Sequence, residues 1–153
     1  FFIVFFYKLK NLSGLNVSHK ELKDAWNAML ISFPADNYNL LKKLKDSYRL
    51  FLLSNTNQTH ISAFTKLVEK ICPIEEFEGL FEKVYYSSRI ELKKPNVAPF
   101  LKILLENGLS ADETLFIDDS IQHVQGAAKT GIKAVLLEKG KNAEQLLKEL
   151  RLL

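Results

Sequence analysis

The sequence predicts an α/β fold in which helices cover both faces of a doubly wound, mainly parallel sheet. Short apolar segments alternate with longer helical patterns over roughly the last two thirds of the chain. Such alternation is typical of parallel strands joined by helical crossovers. The 153 residues are 47% hydrophobic and 25% charged, which is the composition of a globular domain with a core of its own.

The first third of the chain is helical in character. Residues 1–6 form an apolar run that is too short to cross a bilayer and lacks a basic lead-in, so we interpret it as part of a buried helix. Ser18 and Glu21 have the spacing of a capping box, which predicts a helix from Ser18 to about Ile31. Its apolar stripe is expected to face the core and comprises Leu22, Ala25, Trp26, Met29 and Leu30.

Pro34 separates two helices of this first part, and from Arg49 onward the pattern alternates between strands and helices. Asp36 is the predicted N-cap of a helix that runs to Tyr48, and Ser120 that of a helix ended by Gly131. The strand candidates are residues 49–53, 83–87, 114–117 and 134–137, and the remaining helix candidates are residues 58–71, 95–107 and 142–150.

Polar side chains follow three of these strand candidates. Ser54 and Asn55 follow the first, Lys94 follows the region of the second, and Asp118 with Asp119 follows the third. Ligands of open α/β sheets bind at the carboxyl ends of the strands, where a hydroxyl and backbone N–H groups hold phosphate oxygens and a lysine neutralises their charge. Two adjacent carboxylates repel each other unless a cation or a shared proton neutralises them, and Mg²⁺ is the natural cation for such oxygens. The three strand ends therefore predict a phosphoryl-transfer site.

Each of these residues also has a plainer interpretation. Ser54 or Asn57 could be a helix N-cap, Lys94 a surface lysine, and the pair Asp118 and Asp119 a helix-capping turn. The coincidence of all three at strand ends favours the site.

Three segments resemble motifs of the haloacid dehalogenase (HAD) superfamily. They are LFLLSNTN (residues 50–57), LKKP (residues 92–95) and LFIDDSIQHVQGAAKTGIKAV (residues 115–135), which look like its second, third and fourth motifs. The resemblance is to HAD-like phosphatases whose helical cap lies between the first and second motifs. It implies a Rossmann-like HAD core over residues 34–153 and a partial helical cap over residues 1–33.

The resemblance also implies roles for individual residues. Ser54 would hydrogen-bond the transferring phosphoryl group with help from the Asn55 backbone, and Lys94 would stabilise its charge and orient the nucleophile. Asp118 and Asp119 would bind Mg²⁺, directly or through water, with Asp119 as the direct ligand. The implied function is a Mg²⁺-dependent phosphatase that acts on a small phosphorylated metabolite, such as a sugar phosphate. Independently of the resemblance, the lone cysteine makes a reducing cytoplasm the default compartment.

One part of the family pattern is missing. The nucleophile and the acid/base of the family lie in an Asp-x-Asp sequence after a central first strand, and residues 1–153 contain no Asp-x-Asp. The chain also opens without methionine. We therefore expect a fragment, the C-terminal part of a longer protein, that lacks the first strand and is inactive by itself.

Three alternatives remain at the level of sequence. A catalytically inactive HAD-like module would bind a phosphorylated ligand or a partner. A receiver domain also pairs two aspartates with a hydroxyl and a lysine, but it places the acidic pair after its first strand. A haloacid dehalogenase proper needs no metal, which leaves the acidic pair unexplained.

Charge and composition exclude other classes of protein. The net charge of +3 comes from lysines dispersed among glutamates, so no basic stripe indicates a nucleic-acid partner, and no segment indicates a membrane span. Cys72 is interpreted as a small buried hydrophobic residue in a reducing compartment. His19, His60 and His123 lack the spacing of metal ligands and are interpreted as surface or capping residues.

Overall fold

The computed structural model describes residues 2–14 and 16–153 and confirms the α/β class. The described elements follow in the order α1 (Phe2–Ser13), α2 (His19–Asn27), α3 (Ala35–Lys45), β1 (Phe51–Ser54), α4 (Gln58–Val68), α5 (Ile74–Glu78), β2 (Lys83–Tyr86), α6 (Ser87–Ile90), α7 (Ala98–Asn107), β3 (Leu115–Asp118), α8 (Ile121–Ala128), β4 (Lys133–Leu136) and α9 (Ala143–Glu149). None of these helices combines the length and the hydropathy that a bilayer crossing requires.

The chain divides into two compact units. The first unit comprises Phe1–Leu52 with Thr56–Val84, and the second unit comprises Leu53–Asn55 with Tyr85–Leu153. The boundary between cap and core at residue 33 stays a prediction. The strands pair as β1 with β2 and as β3 with β4.

The core of the first unit is aromatic. Phe33, Phe64 and Phe77 pack edge to face with ring centroids 5.2–5.8 Å apart, an arrangement that places ring edges against ring faces. Cys72 is buried in the same cluster, as predicted, and burial raises the pKa of its thiol.

The second helix differs in part from its prediction. The capping box of Ser18 and Glu21 is present, but the helix ends at Asn27 and none of its residues is buried. Met29 lies beyond that end with 66% of its surface exposed and Ala25 is exposed too, so the predicted apolar stripe is not a fully buried core face, although its other three residues are half-buried. Trp26 instead packs edge to face against Phe5 on α1.

Two further predictions about the first unit are wrong. Asp36 is not an N-cap, because α3 begins after Pro34 and the Asp36 carboxylate lies in the first turn, where the helix dipole favours it. His60 is buried rather than a surface residue; its Nε2 lies 3.1 Å from the Trp26 carbonyl oxygen, and its ring stacks on the indole.

Tyr38 and Glu76 give the first unit a testable pH dependence. The Tyr38 hydroxyl donates to the Glu76 carboxylate, and this hydrogen bond, together with burial, raises the pKa of Tyr38 to about 12. The pKa of an unfolded tyrosine is about 10, so the contribution to stability is complete below pH ~10 and is lost as the pH rises through the folded pKa. We expect Glu76→Gln to lower the pKa of Tyr38 in an ultraviolet titration of tyrosinate. Comparison with the Tyr38→Phe variant shows which part of the tyrosinate signal comes from Tyr38. An unchanged pKa of Tyr38 in Glu76→Gln would show that the hydrogen bond does not raise it.

The second unit is built on the parallel pair β3 and β4. Phe116 is in register with Ala134, and Ile117 with Val135. The helix α8 packs on both strands and contributes Ala127 to a buried cluster with Phe100, Leu104 and Ile132. Parallel pairing brings the carboxyl ends of both strands to one edge, where Asp118 ends β3.

Helix boundaries in the second unit are shifted from the prediction. The strand β2 ends at Tyr86 because the short helix α6 begins at Ser87. The helix α7 begins at Ala98 rather than at Pro95, since residues 94–97 form a turn. Gly108 ends α7 with a φ of 59°, the left-handed conformation that favours glycine.

Candidate active site

Lys94 is a buried cation at the carboxyl ends of the strands. Its side chain is 8% exposed, and its Nζ donates to the Asp118 Oδ2 at 2.7 Å and to the Leu53 carbonyl oxygen at 2.9 Å. The Nζ also lies 5.4 Å from the centroid of the Phe116 ring. An ammonium has three N–H donors, so one donor is left for an anion after these two hydrogen bonds.

The side chain of Asn55 holds the backbone of Lys94. Its Nδ2 donates to the Lys94 carbonyl oxygen at 2.8 Å, and its Oδ1 accepts from the Lys94 N–H at 2.9 Å. One amide thus satisfies both backbone groups of a residue in a turn, where no strand or helix satisfies them. The lysine is consequently tied to the end of β1.

Gly126 allows α8 to approach the turn that carries Lys94. A Cβ on Gly126 would lie 2.1 Å from the Pro95 carbonyl oxygen and 2.9 Å from its carbonyl carbon. Real side chains do not tolerate such distances to backbone atoms, so this position requires glycine. The close contact fixes the turn against the helix that follows Asp118.

The Asp118 carboxylate is held through both of its oxygens. While Oδ2 accepts from Lys94, Oδ1 accepts from the Ser120 N–H and the His123 Nδ1, each at 2.9 Å. Burial of this side chain, which is 9% exposed, raises its pKa, but the hydrogen bonds from Lys94, Ser120 and His123 outweigh burial and hold the pKa below the usual value. Asp118 is therefore a carboxylate anion at neutral pH.

The structure brings three of the five predicted site residues into direct contact: Asn55, Lys94 and Asp118. Ser54 ends β1 and Asp119 follows β3, and within the described residues neither of their side chains makes a hydrogen bond or an ion pair. Asp119 is exposed. Both side chains are thus free to meet a ligand.

The plainer interpretations fail for Lys94 and Ser54 and hold only in part for Asp118. Lys94 is not a surface lysine, because it is buried and ion-paired. Of the two N-cap candidates, Asn57 is the N-cap of α4, because its side chain accepts from the His60 N–H, and Ser54 is not. Asp118 does accept from the Ser120 N–H, as in a capping turn, but it also holds Lys94.

His123 is the residue that sequence reasoning missed. It was interpreted as a surface or capping residue, yet its ring contacts Asp118. The available signal was its place in the first turn of α8, five residues after Asp118, where side chains point back toward the strand end. Ser120 is the N-cap residue of α8, as predicted, but its side chain makes no capping hydrogen bond.

The donor set fits a magnesium ion with few protein ligands. No group of three metal-ligating side chains lies together in residues 2–14 and 16–153, and both oxygens of Asp118 already accept hydrogen bonds. Asp119 offers a second carboxylate that is exposed beside it. Mg²⁺ commonly binds through one or two carboxylates and completes its octahedron with water and phosphate oxygens. Asp119 is therefore suited to direct contact and Asp118 to contact through water.

The contact between Asn55 and Lys94 gives a prediction. We expect Asn55→Ala to lower the free energy of unfolding by about 1–2 kcal/mol, since a typical hydrogen bond contributes about 1 kcal/mol. Asn96→Ala is the matched control, because Asn96 is an exposed residue of the same turn. Urea unfolding checks both variants. Equal stability of the two would show that the Asn55 amide does not hold the turn.

Known proteins resemble this chain over most of its length. The family of haloacid dehalogenase-like hydrolases matches residues 5–137. A D-ribitol-5-phosphate phosphatase of Bacteroides thetaiotaomicron is 25% identical over 142 residues, which cover 92% of this chain and 68% of that protein.

Solved structures of the same superfamily agree with the fold. A HAD-family enzyme of Bacteroides thetaiotaomicron, in complex with magnesium and inorganic phosphate, is 30% identical with a TM-score of 0.82, and the match covers 95% of this chain and 71% of the other. A predicted HAD-like hydrolase of Porphyromonas gingivalis is 28% identical with a TM-score of 0.79, and the match covers 96% and 72% of the two chains.

Proposed function

Because the chain belongs to the family of haloacid dehalogenase-like hydrolases, we propose that it carries most of the phosphoryl-transfer site of a Mg²⁺-dependent phosphatase. The substrate is a small phosphate monoester, such as a sugar or polyol phosphate. The relative that hydrolyses ribitol 5-phosphate and the neighbour solved with magnesium and phosphate support this substrate class and this metal.

The observation that carries the proposal is the buried Lys94 ammonium. Asp118 and Leu53 accept hydrogen bonds from two of its three N–H donors, so one donor remains for an anion. Asn55 fixes the backbone of Lys94 at the carboxyl end of β1. A cation that is desolvated and held in place stabilises an anion far more than a mobile surface lysine does. Such a group matches the charge that spreads over the oxygens of a transferring phosphoryl group.

The other residues supply complementary donors and ligands. The Ser54 hydroxyl and the Asn55 N–H donate to phosphoryl oxygens. Asp119 ligates Mg²⁺ directly and Asp118 contacts it through water. When bound, the metal neutralises phosphate charge and orients the reacting oxygens.

The nucleophile is not among the residues described above. We propose that an aspartate of an Asp-x-Asp sequence upstream of residue 1 attacks phosphorus and displaces the alcohol of the monoester, so that the P–O bond to the alcohol breaks as a phosphoaspartate forms. Water then hydrolyses the phosphoaspartate, which releases inorganic phosphate and regenerates the carboxylate. The pairing of the strands agrees with this, because within the described residues β1 pairs with β2 and β3 with β4, but β1 does not pair with β3. An upstream strand would lie between β1 and β3 and pair with both.

Release of inorganic phosphate tests the proposal. The protein made from its complete gene is assayed with polyol phosphates, sugar phosphates and an aryl phosphate, in Mg²⁺ and in EDTA. We expect hydrolysis of at least one monoester, its loss in EDTA and its return with Mg²⁺, and no turnover by Asp119→Asn. The matched control Asp112→Asn changes an exposed carboxylate outside the site and should retain activity.

Two other outcomes would replace the proposal. Binding of phosphate without turnover of any ester would indicate a catalytically inactive binding module. Release of halide from 2-haloacids without Mg²⁺ would indicate a dehalogenase.

A further inference from the structure

His123 contacts the Asp118 carboxylate at the oxygen that Lys94 does not contact. Its Nδ1 lies 2.9 Å from the Asp118 Oδ1, whereas Lys94 contacts Oδ2. The His123 side chain is 22% exposed, so it is not a member of the buried cluster to which α8 contributes Ala127. Packing therefore does not explain its contact with Asp118.

Each hydrogen bond to a carboxylate narrows the range over which its plane can turn. Rotation about the last torsion of aspartate is broad, and without His123 each oxygen of Asp118 accepts one hydrogen bond, Oδ1 from the Ser120 N–H and Oδ2 from Lys94. A second donor on Oδ1 restricts that rotation. Hydrogen bonds to a charged acceptor are stronger than those between neutral groups, which suits His123 to this task.

We propose that His123 is a positioning residue that fixes the Asp118 carboxylate and, through it, the Lys94 ammonium. The inference rests on the proposed function only for its effect on catalysis. The imidazole donates from Nδ1, and both the neutral Nδ1–H tautomer and the imidazolium can do so. No change of protonation is required.

Three substitutions separate the Nδ1 contact from the bulk of the ring. In His123→Asn, the amide nitrogen occupies about the position of Nδ1, whereas in His123→Gln it lies near the position of Nε2. His123→Ala removes both. Gln122→Ala is the matched control, because Gln122 is an exposed neighbour on α8.

The first readout is the chemical reactivity of the Lys94 amine, which does not depend on any enzymatic activity. Reductive methylation is followed by peptide mass spectrometry, with the exposed Lys129 as the internal reference. We expect His123→Ala and His123→Gln to raise the rate at Lys94 by about 3- to 10-fold, as the loss of one hydrogen bond predicts. His123→Asn and Gln122→Ala should stay within about 2-fold of the wild type. Equal rates in the asparagine and alanine variants, or no change in any variant, would overturn the inference.

The second readout is made on the unaltered protein, so it remains decisive if a variant does not fold. Long-range proton–nitrogen correlation spectra show which nitrogen of the His123 ring carries the proton. We expect a protonated Nδ1. A neutral ring with its proton on Nε2 would exclude donation to Asp118 and would overturn the inference.

Kinetics then connect the inference to catalysis. We expect kcat to fall about 10-fold in His123→Ala and His123→Gln with KM little changed, and to be restored in His123→Asn. If the wild type hydrolyses no monoester, the proposed function fails, and Lys94 reactivity still decides the role of His123. If the wild type is a phosphatase but Lys94 reactivity is the same in all variants, the inference alone fails.

Discussion

Lys94→Met is expected to lower the free energy of unfolding by about 3–5 kcal/mol and kcat by about 10²–10³-fold. Methionine keeps most of the side-chain volume but removes the charge, so the buried Asp118 carboxylate loses its cation. An unpaired buried charge costs more than the pair contributes, because its desolvation is no longer offset. Urea unfolding and steady-state kinetics measure the two losses.

A control substitution at an exposed lysine and a double variant test whether the loss of stability comes from the broken ion pair. Lys148→Met removes a lysine from the exposed pair with Glu144 on α9, and we expect a change below about 0.5 kcal/mol. Lys94→Met combined with Asp118→Asn should be more stable than Lys94→Met alone, because no buried charge remains. If the double variant is the less stable of the two, the ion pair is not the source of the loss.

Gly126→Ala should destabilise the protein by about 2–4 kcal/mol, although alanine is the better helix former. A Cβ would lie 2.1 Å from the Pro95 carbonyl oxygen, so α8 and the turn must separate. Alanine favours the helical state by about 1 kcal/mol relative to glycine, and we expect the steric cost to exceed that gain. Since Pro95 follows Lys94, kcat should fall together with stability. Thermal unfolding and kinetics check both effects.

The control for this substitution lies on the same helix. Gln125→Ala changes an exposed neighbour of Gly126, and we expect its free energy of unfolding to stay within about 0.5 kcal/mol of the wild type. A Gly126→Ala variant as stable and as active as Gln125→Ala would show that the contact with Pro95 is not needed.

The elements that local chemistry specifies could be predicted from the sequence. The capping box at Ser18, the αL residue Gly108 and the strand that precedes Asp118 are each encoded by a few neighbouring residues. The partial exposure of the apolar stripe of α2 could not be predicted, because periodicity shows which residues share a face but not whether another element covers it. Met29 shows this, since it fits the stripe yet lies exposed beyond the end of the helix.

The sequence could predict which residues of the candidate site lie together but not all of their contacts. Residues at strand ends could be placed together because parallel strands bring their carboxyl ends to one edge. The sequence predicts a role only for the backbone of Asn55. Its side chain could not be placed, because its hydrogen bonds to Lys94 join positions 39 residues apart. The contact of His123 with Asp118 depends on the angle at which α8 leaves β3; its place in the first turn of α8 points toward the strand end, but the order of the residues does not specify that angle.

The most direct test is a crystal structure of the protein made from its complete gene, grown with Mg²⁺ and inorganic phosphate. We expect phosphate oxygens within hydrogen-bond distance of the Ser54 hydroxyl, the Asn55 N–H and the Lys94 ammonium, and Mg²⁺ bonded to the Asp119 carboxylate. Phosphate bound away from Lys94, or Mg²⁺ bound without Asp119, would contradict this expectation.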